Sequence, residues 1–268
     1  MPTEIDKIEI IYKFRSWKSD FDKDVLLKNQ LYLSSPQDFN DPFDCRISDN
    51  YFLLDTDQKI SDYVDTVLGR QMHFILSKGL DIDAERKRIT EKVADLKIFQ
   101  KEQDELRFRE QDLRYGILSL NLSWDSILMW SHYADHHRGY CLGLYESKLR
   151  ESGMFGKGGI VNYESKFPAL SPFDRDDPMK SFIETHTKAK EWCYEKEYRL
   201  TKLFYPEIPT LSDRIVTIPD DFIAEVTIGI DTTEVHRQEI INCCRDRGIR
   251  IYSANKKEFE FRIERTEI

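Results

Sequence analysis

Alternating apolar and polar positions predict strands along most of the chain. The alternation is imperfect over Lys7 to Phe14, and a second short run, Leu31 to Ser35, ends at Pro36, which suits the end of a strand. Further strands are predicted in later parts of the chain, over Tyr115 to Leu122, Gly139 to Tyr145, Ile160 to Tyr163, Tyr194 to Phe204, Phe222 to Ile230, Ile249 to Ser253 and Phe259 to Glu264.

Between these predicted strands, apolar residues recur at the spacing of a helix. A short helix or turn is predicted around Asp22 to Lys28, and longer ones over Ser123 to Ala134, Met179 to Lys190 and Thr233 to Arg247. The fold class is therefore α+β with a mixed or mostly antiparallel sheet. We predict a single domain over residues 1–268.

Residues 57–114 differ from the rest and are predicted to be a helical insertion within that domain. Apolar residues recur there at helical spacing, and between Ile82 and Arg114 nine acids and nine bases balance each other. This pattern predicts a pair of long amphipathic helices with solvated outer faces, which form a lid or a surface for a protein partner.

Composition narrows the class of protein. The 268 residues carry 40 Lys and Arg against 49 Asp and Glu, a net charge of −9, and 12% are aromatic, which excludes a disordered chain. Five scattered cysteines support neither a disulfide framework nor a zinc site. No apolar run approaches ~18 residues, and Met1 to Glu4 lacks the features of a signal peptide. We expect a cytoplasmic protein that does not bind membranes.

The segment Trp192 to Leu200 contains the strongest candidates for catalytic residues. On a strand, Glu195, Glu197 and Arg199 would share one face, and Trp192, Tyr194, Tyr198 and Leu200 the other. Two carboxylates at i and i+2 can raise one pKa or hold a sugar hydroxyl beside a developing cation. The alternative is a solvated face with an ordinary ion pair.

Two further clusters have structural as well as functional interpretations. His132, His136 and His137 suggest a metal, a capped helix end or a contact to a polar substrate or nucleotide. The loop containing Asn40, Asp41 and Asp44 is either a demanding turn or a binding loop. Phosphate loops, dinucleotide motifs and nucleophile elbows do not occur, so P-loop enzymes, kinases and α/β-hydrolases are excluded.

These clusters, in this order, resemble the bacterial domain-of-unknown-function family 2971. The resemblance covers nearly the whole chain, least typically in the charged helical region. The matching segments are Tyr12 to Arg15, Leu31 to Pro36, Phe39 to Asp44, Ser119-Leu120, Met129 to Ala134, His137 to Gly139, Lys190 to Trp192 and Tyr194 to Arg199.

The chain is more faintly similar to NAD-using ADP-ribosyltransferases, which are built on a split antiparallel sheet. Arg15, Ser34 or Ser35, and Glu195-x-Glu197 follow the order that those enzymes use, although their second strand usually reads Ser-Thr-Ser. This similarity implies an ADP-ribosyltransferase-like fold with NAD as the substrate. A transferase or an NAD glycohydrolase would follow, acting as a toxin or phage-defence effector.

The same similarity implies roles for single residues. Glu197 would stabilise the oxocarbenium-like cation and Glu195 would orient or deprotonate the acceptor. Arg15 would hold the pyrophosphate, a second-strand serine would brace Glu197, and Tyr133 or Tyr198 would stack on nicotinamide. The remaining expected contacts to the dinucleotide are Asn40, His132 and Arg199.

Two other functions stay open. A metal-dependent nuclease or phosphodiesterase would use Asp41, Asp44, His132 and the glutamates, whereas the transferase needs no metal. A non-catalytic interaction module would bind a protein partner through helices in 57–114. The expected partners of an enzyme are a nucleotide or dinucleotide and a protein or nucleic-acid acceptor.

Overall fold

The protein has an α+β fold built around one large, mostly antiparallel sheet, as the sequence predicts. The structure, a computed structural model, describes residues 8–174 and 177–268. Its α-helices are α1 (Asp20–Leu27), α2 (Asp57–Ser77), α3 (Ile82–Val93), α4 (Leu96–Arg114), α5 (Ile127–Tyr133), α6 (Glu146–Glu151), α7 (Lys180–His186) and α8 (Glu234–Asp246). Its strands are β1 (Ile10–Arg15), β2 (Gln30–Tyr32), β3 (Tyr115–Asn121), β4 (Tyr140–Tyr145), β5 (Lys157–Ile160), β6 (Asn162–Glu164), β7 (Thr187–Ala189), β8 (Glu197–Leu203), β9 (Ile215–Thr217), β10 (Ile223–Ile228), β11 (Arg250–Lys256) and β12 (Ile263–Glu267).

The main sheet has eight strands in the order β12-β11-β10-β4-β1-β3-β8-β5. Within it β10 and β11 are parallel and the other neighbours are antiparallel. Two small sheets, antiparallel β2-β9 and parallel β6-β7, lie outside it. Strands from distant parts of the chain therefore meet at its centre.

The main sheet opens between β1 and β3. β1 pairs with β4 along its whole length and β3 with β8 along its whole length, but β1 and β3 share one registered pair, Tyr12 opposite Asn121. The Lys13 amine spans this junction and donates to the Ser119 carbonyl at 2.7 Å. The two halves of the sheet thus diverge beside the first residue of β8.

One face of the sheet buries the main apolar core. Alternate positions of the central strands, such as Ile11, Leu118, Leu142, Leu200 and Val226, pack together with apolar residues of α1, α6 and α8. Burial of each such side chain contributes about 1.5–3 kcal/mol. The opposite face is covered partly by α5, whose Trp130 packs edge-on against Phe14.

The helical character predicted for residues 57–114 is confirmed, but the region forms three helices rather than two. Gly79, at φ +62°, ends α2, and the Leu80 amide then bonds the Ile75 carbonyl in a left-handed C-cap. Asp95 caps α4 through the amides of Lys97 and Ile98 and so separates it from α3. Together with Tyr51 and Leu54, the region buries a second apolar cluster, formed by Tyr63, Val64, Leu68, Ile75, Ile89, Val93 and Phe99. Its status as an insertion stays a prediction.

Several predicted boundaries were wrong. The helix predicted over Met179 to Lys190 ends at His186, and the chain continues as β7. The predicted strand Tyr194 to Phe204 starts only at Glu197, since Lys190–Glu195 form a 3₁₀ helix. Phe259 and Phe261 lie in the exposed turn before β12. Lys7 and the predicted N-terminal features of Met1 to Glu4 lie outside the described residues.

No helix in the described part of the chain combines the length and apolar character that crossing a membrane requires.

Candidate functional site

Arg199 is the centre of a buried charged network at the start of β8. Its side chain is fully buried, and its guanidinium donates to both carboxylate oxygens of Glu197 at 2.6 and 2.9 Å. It also donates to both oxygens of Asp44 at 2.8 and 2.6 Å and to the Thr185 carbonyl at 2.8 Å. The shared strand face predicted for Glu197 and Arg199 is confirmed, but the alternative of a solvated ion pair is wrong.

Lys188 joins Glu195 to this network. Its amine donates to Glu195 at 2.6 Å and to Glu197 at 3.4 Å, and it lies 3.5 Å from Asp44. All of these side chains are buried. We call Asp44, Glu195, Glu197, Lys188 and Arg199 the carboxylate cluster; its carboxylates exceed its cations by one.

Glu195 reaches the cluster by a route that the strand pattern does not predict. It ends the 3₁₀ helix, and Lys196 then adopts a left-handed conformation at φ +45° before β8 begins. The two-face prediction is therefore wrong for the residues before Glu197. Tyr198 packs in the main core, whereas Tyr194 lies near the surface against His132.

A serine on the neighbouring strand braces Glu197. Ser119 and Glu197 lie on paired strands, and the Ser119 hydroxyl favours the ionised form of the Glu197 carboxylate. Burial raises the pKa of Glu197, but Arg199, Lys188 and Ser119 outweigh it and lower that pKa to about 2. Glu197 is therefore ionised at neutral pH.

Lys13 lies on the other side of the opening between β1 and β3. Burial and the nearby Arg15 lower the pKa of its amine to about 7, against the opposing effect of Glu197 and Glu195. The Lys13 amine therefore loses its proton more readily than that of an ordinary lysine, beside the cluster.

Tyr133 connects the cluster to the surface. Its hydroxyl donates to Glu195 at 2.7 Å, while 37% of the residue is exposed. Burial and the Glu195 carboxylate raise the pKa of Tyr133, so that the hydroxyl stays a donor. The rings of His132, Tyr194 and Trp192 continue from Tyr133 as an aromatic surface. A planar ligand could lie on this surface within reach of Glu195.

The three histidines after Trp130 do not converge on a metal. α5 ends at Tyr133, and the consecutive residues Asp135, His136 and His137 all have positive φ. This left-handed turn leaves His136 exposed and stacks His137 on the Trp130 ring. Among the described residues, no group of three or more His, Cys, Asp or Glu side chains is placed to hold a metal ion.

Arg15 and the two serines of the second-strand segment do not contact the cluster. Arg15 pairs with Asp22 at 3.7 Å and lies over Phe21. The Ser35 hydroxyl donates to the Asp112 carbonyl, and the Ser34 backbone pairs with Ile117, near the opposite end of β3 from Asn121. The expected bracing of Glu197 by Ser34 or Ser35 is therefore wrong, because Ser119 fills that role.

The turn-rich loop supplies one residue to the cluster and leaves the others apart. Asp44 binds Arg199, but Asn40 is exposed, and Asp41 is buried with one carboxylate oxygen bonded to the Phe43 amide. The second oxygen of Asp41 has no partner among the residues described. The loop is thus a conformationally demanding turn that places Asp44, and its role as a binding loop stays a prediction.

Sequence reasoning missed Lys188, and it named Ser119 only as part of the family resemblance, without a role. Lys188 fell inside a predicted helix, and a lysine is rarely buried, so nothing local marks it. Ser119 lies on a correctly predicted strand, but its contact with Glu197 depends on the pairing of β3 with β8. Serine at that position gives no local signal of the contact.

No curated protein and no solved structure matches the chain. The family model described as "Protein of unknown function (DUF2971)" matches residues 129–200. This segment runs from α5 into β8 and contains Tyr133, Lys188, Glu195, Glu197 and Arg199. The resemblance to the DUF2971 family is thereby confirmed over residues 129–200, where the chain matches the model of that family; outside this segment it stays a prediction.

Proposed function

We propose that the protein is an NAD-consuming enzyme of the ADP-ribosyltransferase type, with Glu197 and Glu195 as its catalytic pair. One observation carries this proposal. An ionised Glu197, braced by Ser119, begins β8 beside the opening of the sheet, and Glu195 connects it through Tyr133 to an aromatic surface. The fold that we propose is accordingly the split-sheet type, with the opening between β1 and β3 as the split.

The proposed reaction breaks the bond between nicotinamide and ribose. The pair of electrons leaves with nicotinamide, and the ribose carbon becomes cationic in the transition state. The buried carboxylate of Glu197 would stabilise that charge. An acceptor hydroxyl or water then bonds to the carbon, and its proton passes to Glu195.

The ion pair between Glu197 and Arg199 limits how a substrate can bind to Glu197. Both Glu197 oxygens accept from Arg199 or lie near Lys188, so a ribose hydroxyl has to share an oxygen that is already bonded. Glu195 is as buried as Glu197, but its hydrogen-bond partner Tyr133 is partly exposed. Substrate would therefore approach over Tyr133, and nicotinamide would stack on the aromatic surface.

Release of nicotinamide from NAD by the purified full chain tests the proposal. We expect Glu197→Gln to lower the rate by at least about 100-fold, which is typical for loss of one group that stabilises charge in a transition state. Tyr133→Phe, a change at a partly exposed side chain, should lower the rate while the thermal midpoint stays nearly unchanged.

Glu225→Gln is the matched control. Glu225 is a buried carboxylate that accepts from Arg265 at 2.6 Å on the other half of the sheet. The Glu225→Gln variant should lose about as much free energy of unfolding as the Glu197→Gln variant. Its rate of NAD consumption per folded molecule should stay at the wild-type value. Equal rates for the wild type and Glu197→Gln, or no release of nicotinamide by the wild type, would refute the proposal.

A second candidate, an interaction module, has one specific observation in its favour. Phe74, Leu76, Leu80 and Ile82 are all exposed around the turn between α2 and α3. We propose this turn as the contact for the expected protein partner of residues 57–114. The double variant Phe74→Glu/Leu76→Glu should abolish capture of that partner and leave the thermal midpoint nearly unchanged, because both side chains are exposed. Retained capture would refute this contact.

A further inference from the structure

A cavity of about 560 Å³ lies within the helical region, apart from the carboxylate cluster. Its walls come from α2, α3, α4, the 48–51 segment and α7. No member of the carboxylate cluster lines it. Its volume is within the roughly 300–1,000 Å³ of sites that hold small organic ligands.

The inner wall of the cavity is apolar and aromatic. Tyr63, Ile89 and Phe99 line it and are buried, and the Tyr63 and Phe99 rings meet edge to face at 6.1 Å. A packed wall of this kind presents a fixed surface to a planar ring.

Three of the four acids that line the cavity pair with a cation. Glu184 pairs with Arg107, and Asp49 pairs with Lys180. Glu110 pairs with Arg114, which is not a lining residue. The fourth acid, Asp177, accepts the Met179 amide.

The exposed side of the cavity carries cations that these acids do not neutralise. We call Arg70, Arg88 and Lys92 the entrance cations; all three line the cavity and are exposed. Arg88 pairs with Glu85, and Arg70 donates to the Phe173 carbonyl. In the part of the chain that the structure describes, no acid pairs with Arg70 or Lys92.

We infer that this cavity binds a nucleoside phosphate, with the base against the apolar wall and the phosphates at the entrance cations. Arginine and lysine are the side chains that bind phosphate oxygens best. Gln71 and Gln103 also line the cavity and supply amide groups for the polar edge of a base. This site is separate from the proposed catalytic cluster and does not depend on its activity.

Titration calorimetry of the full chain with ADP, adenosine and inorganic phosphate tests the inference. We expect ADP to bind at least about tenfold more tightly than adenosine or phosphate alone, because only ADP engages both the wall and the cations. The double variant Arg70→Ala/Lys92→Ala should weaken ADP binding by about tenfold or more.

The matched control is Lys59→Ala/Lys87→Ala, which removes the same charge from exposed positions of α2 and α3 outside the cavity. It should leave ADP binding unchanged. If both double variants weakened ADP binding equally, the loss would reflect the net charge of the protein alone, and the inference would be overturned. Absence of ADP binding at about 1 mM would also overturn it. Tyr133→Phe separates the two sites: a large loss of ADP affinity there would place ADP at the carboxylate cluster and also overturn the inference.

Discussion

Replacement of Arg199 by methionine should be among the most destabilising single changes in the protein. Methionine preserves much of the side-chain volume but leaves the Glu197 and Asp44 carboxylates buried without their shared cation. The pKa of Glu197 lies at about 2 instead of 4.5, and this difference corresponds to roughly 3 kcal/mol of stability. That shift is the net effect of burial, Arg199, Lys188 and Ser119. Breaking a buried ion pair from one side typically costs about 3–5 kcal/mol, and this is the loss that we expect for Arg199→Met.

The stability lost in Arg199→Met should depend on pH. A carboxyl group whose pKa is lowered by folding stabilises the native state above its unfolded pKa, and the stabilisation is lost as the pH falls toward its folded pKa. For Glu197 this window runs from about pH 4.5 down to about pH 2. The stability difference between the wild type and Arg199→Met should therefore shrink as the pH is lowered through this window.

Urea denaturation at pH 7 and at about pH 3, followed by tryptophan fluorescence, measures both quantities. Arg114→Met is the control, since Arg114 pairs with Glu110 at 2.8 Å but in a partly exposed position, and its loss should cost no more than about 1 kcal/mol. A loss for Arg199→Met as small as that control, or a difference that does not change with pH, would refute the assignment of Arg199 as the partner that keeps Glu197 ionised.

Three further predictions concern the surroundings of the site. Burial and Arg199 lower the pKa of His186 to about 4, so its ring should show no NMR titration between pH 5 and 8, and its contribution to stability should be lost as the pH falls from about 6.5 to 4. Gly139→Ala should prevent stable folding or lower the free energy of unfolding by several kcal/mol, because the new Cβ would lie 2.0 Å from the Arg15 carbonyl oxygen. Gly69→Ala is the matched control, since the space around this position of α2 is open. It should raise the free energy of unfolding by up to about 1 kcal/mol in the same urea denaturation assay. His136→Gly should raise the unfolding free energy by about 1 kcal/mol, since glycine adopts the left-handed conformation of that residue without a steric penalty, and an unchanged value would contradict strain at this turn.

The pairing of Glu197 with Arg199 could be predicted from sequence because it depends only on the period of two along a strand. The same reasoning failed for Glu195, where a 3₁₀ helix and the left-handed Lys196 replace the strand. The sequence does contain a helix-compatible run there, but a backbone reversal at a lysine has no sequence signal.

Contacts between distant segments account for the rest of what sequence could not supply. Ser119 reaches Glu197 only through the register of β3 with β8, and Asp44 reaches Arg199 only through the placement of its loop. The sequence contains several serines and acids of equal promise, such as Ser35 and Asp41. Local patterns do not select among them, since the selection is made by tertiary packing.

The composition of the carboxylate cluster favours a cationic substrate group over an anionic one. Its carboxylates outnumber its cations by one, and one of them, Glu195, accepts a hydrogen bond from the partly exposed Tyr133. The nicotinamide ring of NAD carries a positive charge, and the ribose carbon gains one as the glycosidic bond breaks, so both charges would be attracted to this end of the cluster. The entrance cations have the opposite preference, which is why we assign the nucleoside phosphate to the cavity that they line and the reacting end of NAD to the carboxylate cluster.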